Sequence, residues 1–138
     1  MKIGIYPGSF NPWHEGHADI VTKALKVFDK VLIAQGVNPE KPFGSDNIPS
    51  KQTYGRFGNK VIVSKFSGLL SDFIRTTDIE IAAIIRGLRN SSDFEFEKTQ
   101  QYWNEDLVVD VPTVYFISDR KLTHISSSAI RMVEKLKP

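Results

Sequence analysis

Five apolar runs, each rich in Ile and Val and each bounded by turn residues, set the frame of this chain: residues 2–6, 30–36, 59–63, 80–86 and 112–117. Runs of this length and composition read as buried strands. Between them the apolar residues recur at helical spacing, over about 17–28, where Ile20, Val21, Ala24, Leu25 and Phe28 fall on one face, then over 68–76 and 93–105, with a last helix starting near Ser126. Strand and helix in alternation predict an α/β domain: a Rossmann-like, doubly wound, five-stranded parallel sheet with helices on both faces. Crossovers between parallel strands are right-handed, and ligands of such sheets gather at the carboxyl ends of the strands. Residues 37–58 break the pattern. They hold three prolines and three glycines with no period and predict a long loop, with at most a helical turn near 51–54.

A chain of 138 residues and 15.6 kDa suits a single domain spanning 1–138, long enough to bury about two-thirds of its unfolded surface. Apolar residues make up 41% and charged residues 25%, the apolar runs are only strand-length, and there is no cysteine and no basic-then-apolar leader. Membrane, disulfide and secretory readings drop out, and a cytoplasmic protein is expected. A net charge of +2 is too balanced to argue for nucleic acid, and the aromatics fall at core periods rather than along a basic stripe.

The chemistry concentrates where strands end. Residues 6–17 read Tyr-Pro-Gly-Ser-Phe-Asn-Pro-Trp-His-Glu-Gly-His and lead from the first strand into the first helix. Gly8 and Gly16 allow close backbone approach, Pro7 and Pro12 stiffen the turn, and Ser9, His14 and His17 surround the positive end of a helix, a setting for phosphate. Two histidines three apart are more often structural than functional. A zinc reading fails because the spelling is not His-Glu-X-X-His and no third ligand is evident. Lys41 follows the second strand between prolines and alone would pass for a solvated loop lysine. Arg86-Gly87-Leu88-Arg89 follows a buried run; its guanidinium forks suit phosphate oxygens but could equally pair with the acidic stretch from Asp93 to Glu97. His124-Ile125-Ser126-Ser127-Ser128 opens the last helix, as ordinary caps or as a wrap for a triphosphate tail.

Taken together, Tyr6-Pro-Gly-Ser-Phe, Gly16-His17, Ile85-Arg86-Gly87-Leu88-Arg89 with Asp93-Phe94-Glu95, and Ile125-Ser126-Ser127-Ser128 resemble the bacterial phosphopantetheine adenylyltransferases of the nucleotidylyltransferase superfamily, in register over nearly the whole chain. The resemblance implies transfer of AMP from ATP to 4′-phosphopantetheine, giving dephospho-coenzyme A and pyrophosphate, with Mg2+ arriving on the nucleotide and no protein metal ligands. By matching position it implies His17, Lys41 and Arg89 as catalytic. Ser9, Phe10, His14, His17, Gly87, Leu88, Arg89 and Glu97 would meet ATP, together with the segment Leu122, Thr123, His124, Ile125, Ser126, Ser127 and Ser128. Ser9, Lys41, Leu70 and Arg86 would hold phosphopantetheine. The family assembles as hexamers, so a homo-oligomer is implied.

Several positions depart from the family. His14 stands in place of threonine and Asn11 in place of aspartate, residues 44–58 lack the usual Thr-Leu-Glu-Glu-Arg helix start, two extra residues lie between Phe73 and Arg86, and the chain ends at Pro138, about one helix early. Three alternatives stay open: nicotinamide mononucleotide or glycerol 3-phosphate as acceptor, CTP as donor, or a nucleotide-binding regulatory domain without turnover.

Overall fold

The computed structural model describes residues 1–10, 13–37, 55–88 and 111–118. Within them the chain runs β1 (Ile3–Gly8), α1 (Glu15–Ala24), β2 (Lys30–Gly36), a 3-10 turn (Gly58–Lys60), β3 (Val61–Phe66), α2 (Leu70–Thr76), β4 (Ala83–Leu88) and β5 (Thr113–Ile117). All pairings are parallel and the order across the sheet is β3-β2-β1-β4-β5. The expected architecture is therefore present, and the five strands fall where the apolar runs lie. The helices expected over 93–105 and from 126 lie outside the described residues, as does the turn near 51–54.

Boundaries differ in informative ways. β1 and β4 each run two residues past the expected end, because Pro7 and Gly87 stay in register with Ala34 and Phe116 instead of breaking their strands. The third strand begins at Val61, not at 59: residues 55–57 are helical, Gly58 turns the chain at φ +63°, and a 3-10 turn takes up Asn59 and Lys60. α1 begins at Glu15 rather than 17, two residues early, for a reason that lies in the site itself.

Side chains alternate across the strands and so build two cores. On one face Tyr6, Val31, Ile33, Ala83 and Ile85 pack with Ile20, Val21 and Ala24 of α1 and with Phe28. On the other, Ile5, Leu32, Ala34 and Ile84 are covered by Leu70, Phe73 and Ile74 of α2. Ile5, Leu32 and Ile84 sit side by side in the register and are fully buried, each contributing about 1.5–3 kcal/mol of burial.

The centre of the sheet opens at its carboxyl edge. β1 and β2 are registered from Ile3↔Lys30 to Gly8↔Gln35, and β4 and β5 from Ile84↔Thr113 to Leu88↔Ile117. β1 and β4 pair only at Gly4↔Ala83 and Ile5↔Ile84, after which both strands run on without partnering each other. The chain winds outward in opposite directions from these two strands, so the crevice lies at the topological switch point, where open α/β sheets take their ligands.

Candidate active site

The turn that leaves β1 at this crevice is tightly specified. Phe10 is buried and sits at φ +48°, the left-handed region, which costs a non-glycine residue about 1–2 kcal/mol. Its ring lies so close to Gly8 that a Cβ there would fall 2.9 Å from two ring carbons. The ring also meets Tyr6 and Trp13, each at 5.2 Å between centroids, and stands edge-on to His17 at 4.9 Å. Ser9 is exposed at the turn, and its carbonyl accepts a hydrogen bond of 3.1 Å from the Gln35 side chain at the end of β2.

α1 starts with a reciprocal cap made of imidazoles. His14, extended at φ −145° and ψ 176°, is the N-cap, and its Nδ1 accepts from the Gly16 N–H at 3.1 Å. The Nδ1 of His17 in turn accepts from the His14 N–H at 3.1 Å. The rings stack at 3.7 Å and 23°. Gly16 is required for this fit, since a Cβ there would lie 2.8–2.9 Å from the His14 ring. Rules that look for Ser, Thr, Asp or Asn at N-caps overlook such a start, which explains the earlier onset of the helix.

This cap decides the chemistry of both rings. A backbone N–H can only donate, so each Nδ1 must be unprotonated and the proton of a neutral imidazole rests on Nε2, the far side of the ring. Two N–H donors are thereby held at the positive end of a ten-residue helix beside the open crevice, an arrangement suited to phosphate oxygens.

The opposite face of the crevice has another character. Arg86 follows Ile85 on β4, and alternation places it on the face of Ile84, the α2 side, where its Nε is buried. Leu70 opens α2 on that side, and Phe66 stacks on Phe73 at 5.2 Å. This face is apolar with a cation at its inner edge. Gly87 lies on the α1 side over Ile20 and near the Tyr6 hydroxyl, and buried Leu88 accepts a hydrogen bond from the Ser118 N–H at 3.0 Å.

Of the residues the sequence singles out, Ser9, Phe10, His14, His17, Arg86 and Gly87 meet around this crevice, with Leu70 on its α2 side. Lys41, Arg89, Glu97 and the whole segment 122–128 lie outside the described residues. Among the described residues no three His, Cys, Asp or Glu side chains gather to hold a metal ion, and no helix is long and apolar enough to cross a membrane. Two contributors escaped the sequence reading. Trp13 packs at 5.2 Å against His17, and its signal was an aromatic one turn before that histidine. Gln35 is 1% exposed, and its signal was an amide directly after four buried apolar residues of β2. An exposed ion pair, Arg56 to Glu15 at 2.8 Å, joins residues 55–57 to the start of α1.

The chain has known relatives in both sequence and fold. A family model described as cytidylyltransferase-like matches residues 5–133. The phosphopantetheine adenylyltransferase of Syntrophomonas wolfei is 40% identical over 134 residues, covering 95% of this chain and 82% of that protein. That of Cytophaga hutchinsonii is 42% identical over 137 residues, covering 97% and 90%. A putative nicotinate-nucleotide adenylyltransferase from Vibrio parahaemolyticus, of known structure, shares the fold at a TM-score of 0.59 and 21% identity, covering 99% of this chain and 90% of that one. The chain thus belongs to the cytidylyltransferase-like family and, within it, to the phosphopantetheine adenylyltransferases.

Proposed function

We propose that this protein transfers AMP from ATP to 4′-phosphopantetheine, releasing pyrophosphate and forming dephospho-coenzyme A. The observation that carries the chemistry is the pair of imidazoles capped through Nδ1 at the open end of the sheet; the identity to phosphopantetheine adenylyltransferases supplies the acceptor. An oxygen of the acceptor phosphate attacks the α-phosphorus in line as the bond to the pyrophosphate oxygen breaks. That oxygen is already anionic at neutral pH, so the step requires neither a general base nor a covalent intermediate. Catalysis is a matter of alignment and of stabilising charge on the α-phosphate and the departing pyrophosphate.

In this reading His17 donates from Nε2 to the α-phosphate region and His14 adds a second donor beside it. Ser9 and Phe10 line the junction of the two substrates. Gly87, Leu88, Arg89, Glu97 and the segment 122–128 are assigned to ATP. Lys41 and Arg86 bind the acceptor phosphate, and Leu70 packs on the pantetheine arm, which suits the apolar α2 face. Magnesium enters with the triphosphate as part of the substrate. The enzyme works in the cytoplasm as a homo-oligomer.

The test is pyrophosphate release from ATP or CTP with phosphopantetheine, nicotinamide mononucleotide and glycerol 3-phosphate offered in turn. Turnover with ATP and phosphopantetheine alone is expected. Turnover only with another acceptor would reassign the substrate. Release with none, while ATP still raises Tm as a ligand of the folded state does, would mark a regulatory nucleotide-binding domain.

A further inference from the structure

We infer that Gln35 is a positioning residue for this reaction: its side-chain amide fixes the Ser9–Phe10 peptide so that the Phe10 N–H is presented to a phosphate oxygen of the nucleotide. The inference deepens the proposed function and rests on it for the identity of the ligand.

The surroundings of Gln35 lead there. Gln35 is the penultimate residue of β2, follows Val31, Leu32, Ile33 and Ala34, which are all buried and apolar, and is itself 1% exposed. A primary amide at such a position costs free energy unless its hydrogen bonds are met, so packing alone does not account for it. Its Nε2 donates to the Ser9 carbonyl at 3.1 Å, reaching from the register position of Gly8 to the first residue beyond β1. A carbonyl can only accept, so this contact needs the NH2 end of the amide.

In a trans peptide the carbonyl and the following N–H point in opposite directions. Drawing the Ser9 oxygen toward buried Gln35 therefore turns the Phe10 N–H away from the core, toward the side on which Ser9 is exposed and the crevice opens. Phe10 holds this orientation at φ +48°, a conformation that relaxes unless its surroundings impose it. The Phe10 ring supplies one constraint through its packing on His17, and the Gln35 amide supplies the other. A backbone donor so fixed is already oriented when charge develops on phosphate, where preorganised donors are most effective.

The experiment pairs Gln35→Met, which keeps the shape and removes the donor, with Gln35→Glu, which donates only when its carboxyl is protonated. Turnover is followed by pyrophosphate release and the Phe10 amide by NMR during an ATP titration. We expect kcat of Gln35→Met to fall about tenfold to a hundredfold, with KM for ATP within about threefold of the parent value because most nucleotide contacts are retained. The kcat of Gln35→Glu relative to the parent should rise as pH falls, since burial favours the neutral acid, and this profile also serves if the Met variant does not fold. ATP should shift the Phe10 amide in the parent and not in Gln35→Met. Parent-like kcat in both variants, a pH-independent ratio for Gln35→Glu, or an unchanged Phe10 response would overturn the assignment. Should the parent release no pyrophosphate, the functional reading fails on its own, and loss or persistence of the ATP-induced Phe10 shift in the variant still decides whether Gln35 orients the peptide.

Discussion

The two sides of the crevice are built on different principles. On the α1 side, polar groups are locked by one another: His14 and His17 hold the helix backbone and stack, Phe10 is wedged between Gly8 and His17, and Gln35 grips the Ser9 carbonyl. On the α2 side, the crevice is flanked by Leu70, the Phe66–Phe73 stack and Arg86, an apolar surface with a cation at its inner edge. Under the proposed function, the contrast matches what each side would do. The α-phosphate under attack needs donors placed to a fraction of an ångström, whereas the extended arm of the acceptor needs chiefly apolar area. The sides meet where β1 and β4 part, next to Ser9.

The sharpest break in this comparison is expected from His17→Ala, which removes both a donor and half of the reciprocal cap. Turnover should fall by about two orders of magnitude or more, as on removal of an oxyanion-stabilising donor, and Lys41→Ala should match it. Near-normal pyrophosphate release in both would refute these roles. Gly8→Ala comes next. Its Cβ would stand 2.9 Å from the Phe10 ring, so the ring must move, with about 1–3 kcal/mol lost in chemical denaturation and a drop in kcat that exceeds any change in KM.

On the other side the expected signature is reversed. Arg86→Ala should raise KM for phosphopantetheine about tenfold, in keeping with loss of a charged hydrogen bond, and Leu70→Ala should raise it less, while KM for ATP stays put in both. Equal changes in the two KM values would erase the division. The smallest effect belongs to Arg56→Ala: the pair with Glu15 is 47% and 65% exposed, so stability should change by at most about 0.5–1 kcal/mol in urea unfolding.

Much of this was legible in the sequence. Ile- and Val-rich runs marked the strands because parallel strands buried on both faces need such residues along their whole length. The loop after β1 was visible because Gly8, Gly16, His14 and His17 sit together in sequence as they do in space. Element boundaries were harder. Pro7 and Gly87 look like breakers, yet each remains in a ladder at a strand's carboxyl end. Gly58 and the 3-10 turn displaced β3, and a histidine cap lies outside the usual capping chemistry. Gln35 and the widening between β1 and β4 were not legible, because both are long-range: one is a bond across 26 residues, the other an absence of pairing between strands far apart in the chain. The placement of Arg86 opposite the imidazoles follows from strand alternation once Ile84 and Ile85 are assigned to their faces.

The division of the crevice is tested most directly by backbone-amide NMR of the labelled protein titrated separately with a non-reacting α,β-methylene analogue of ATP and with phosphopantetheine. The nucleotide should shift His14, His17, Gly87 and their neighbours, the acceptor should shift Phe66, Leu70, Phe73 and Arg86, and the two sets should overlap only around Ser9 and Phe10. If both ligands perturb the same residues, or if phosphopantetheine shifts the α1 side and leaves α2 untouched, the two-sided account is wrong.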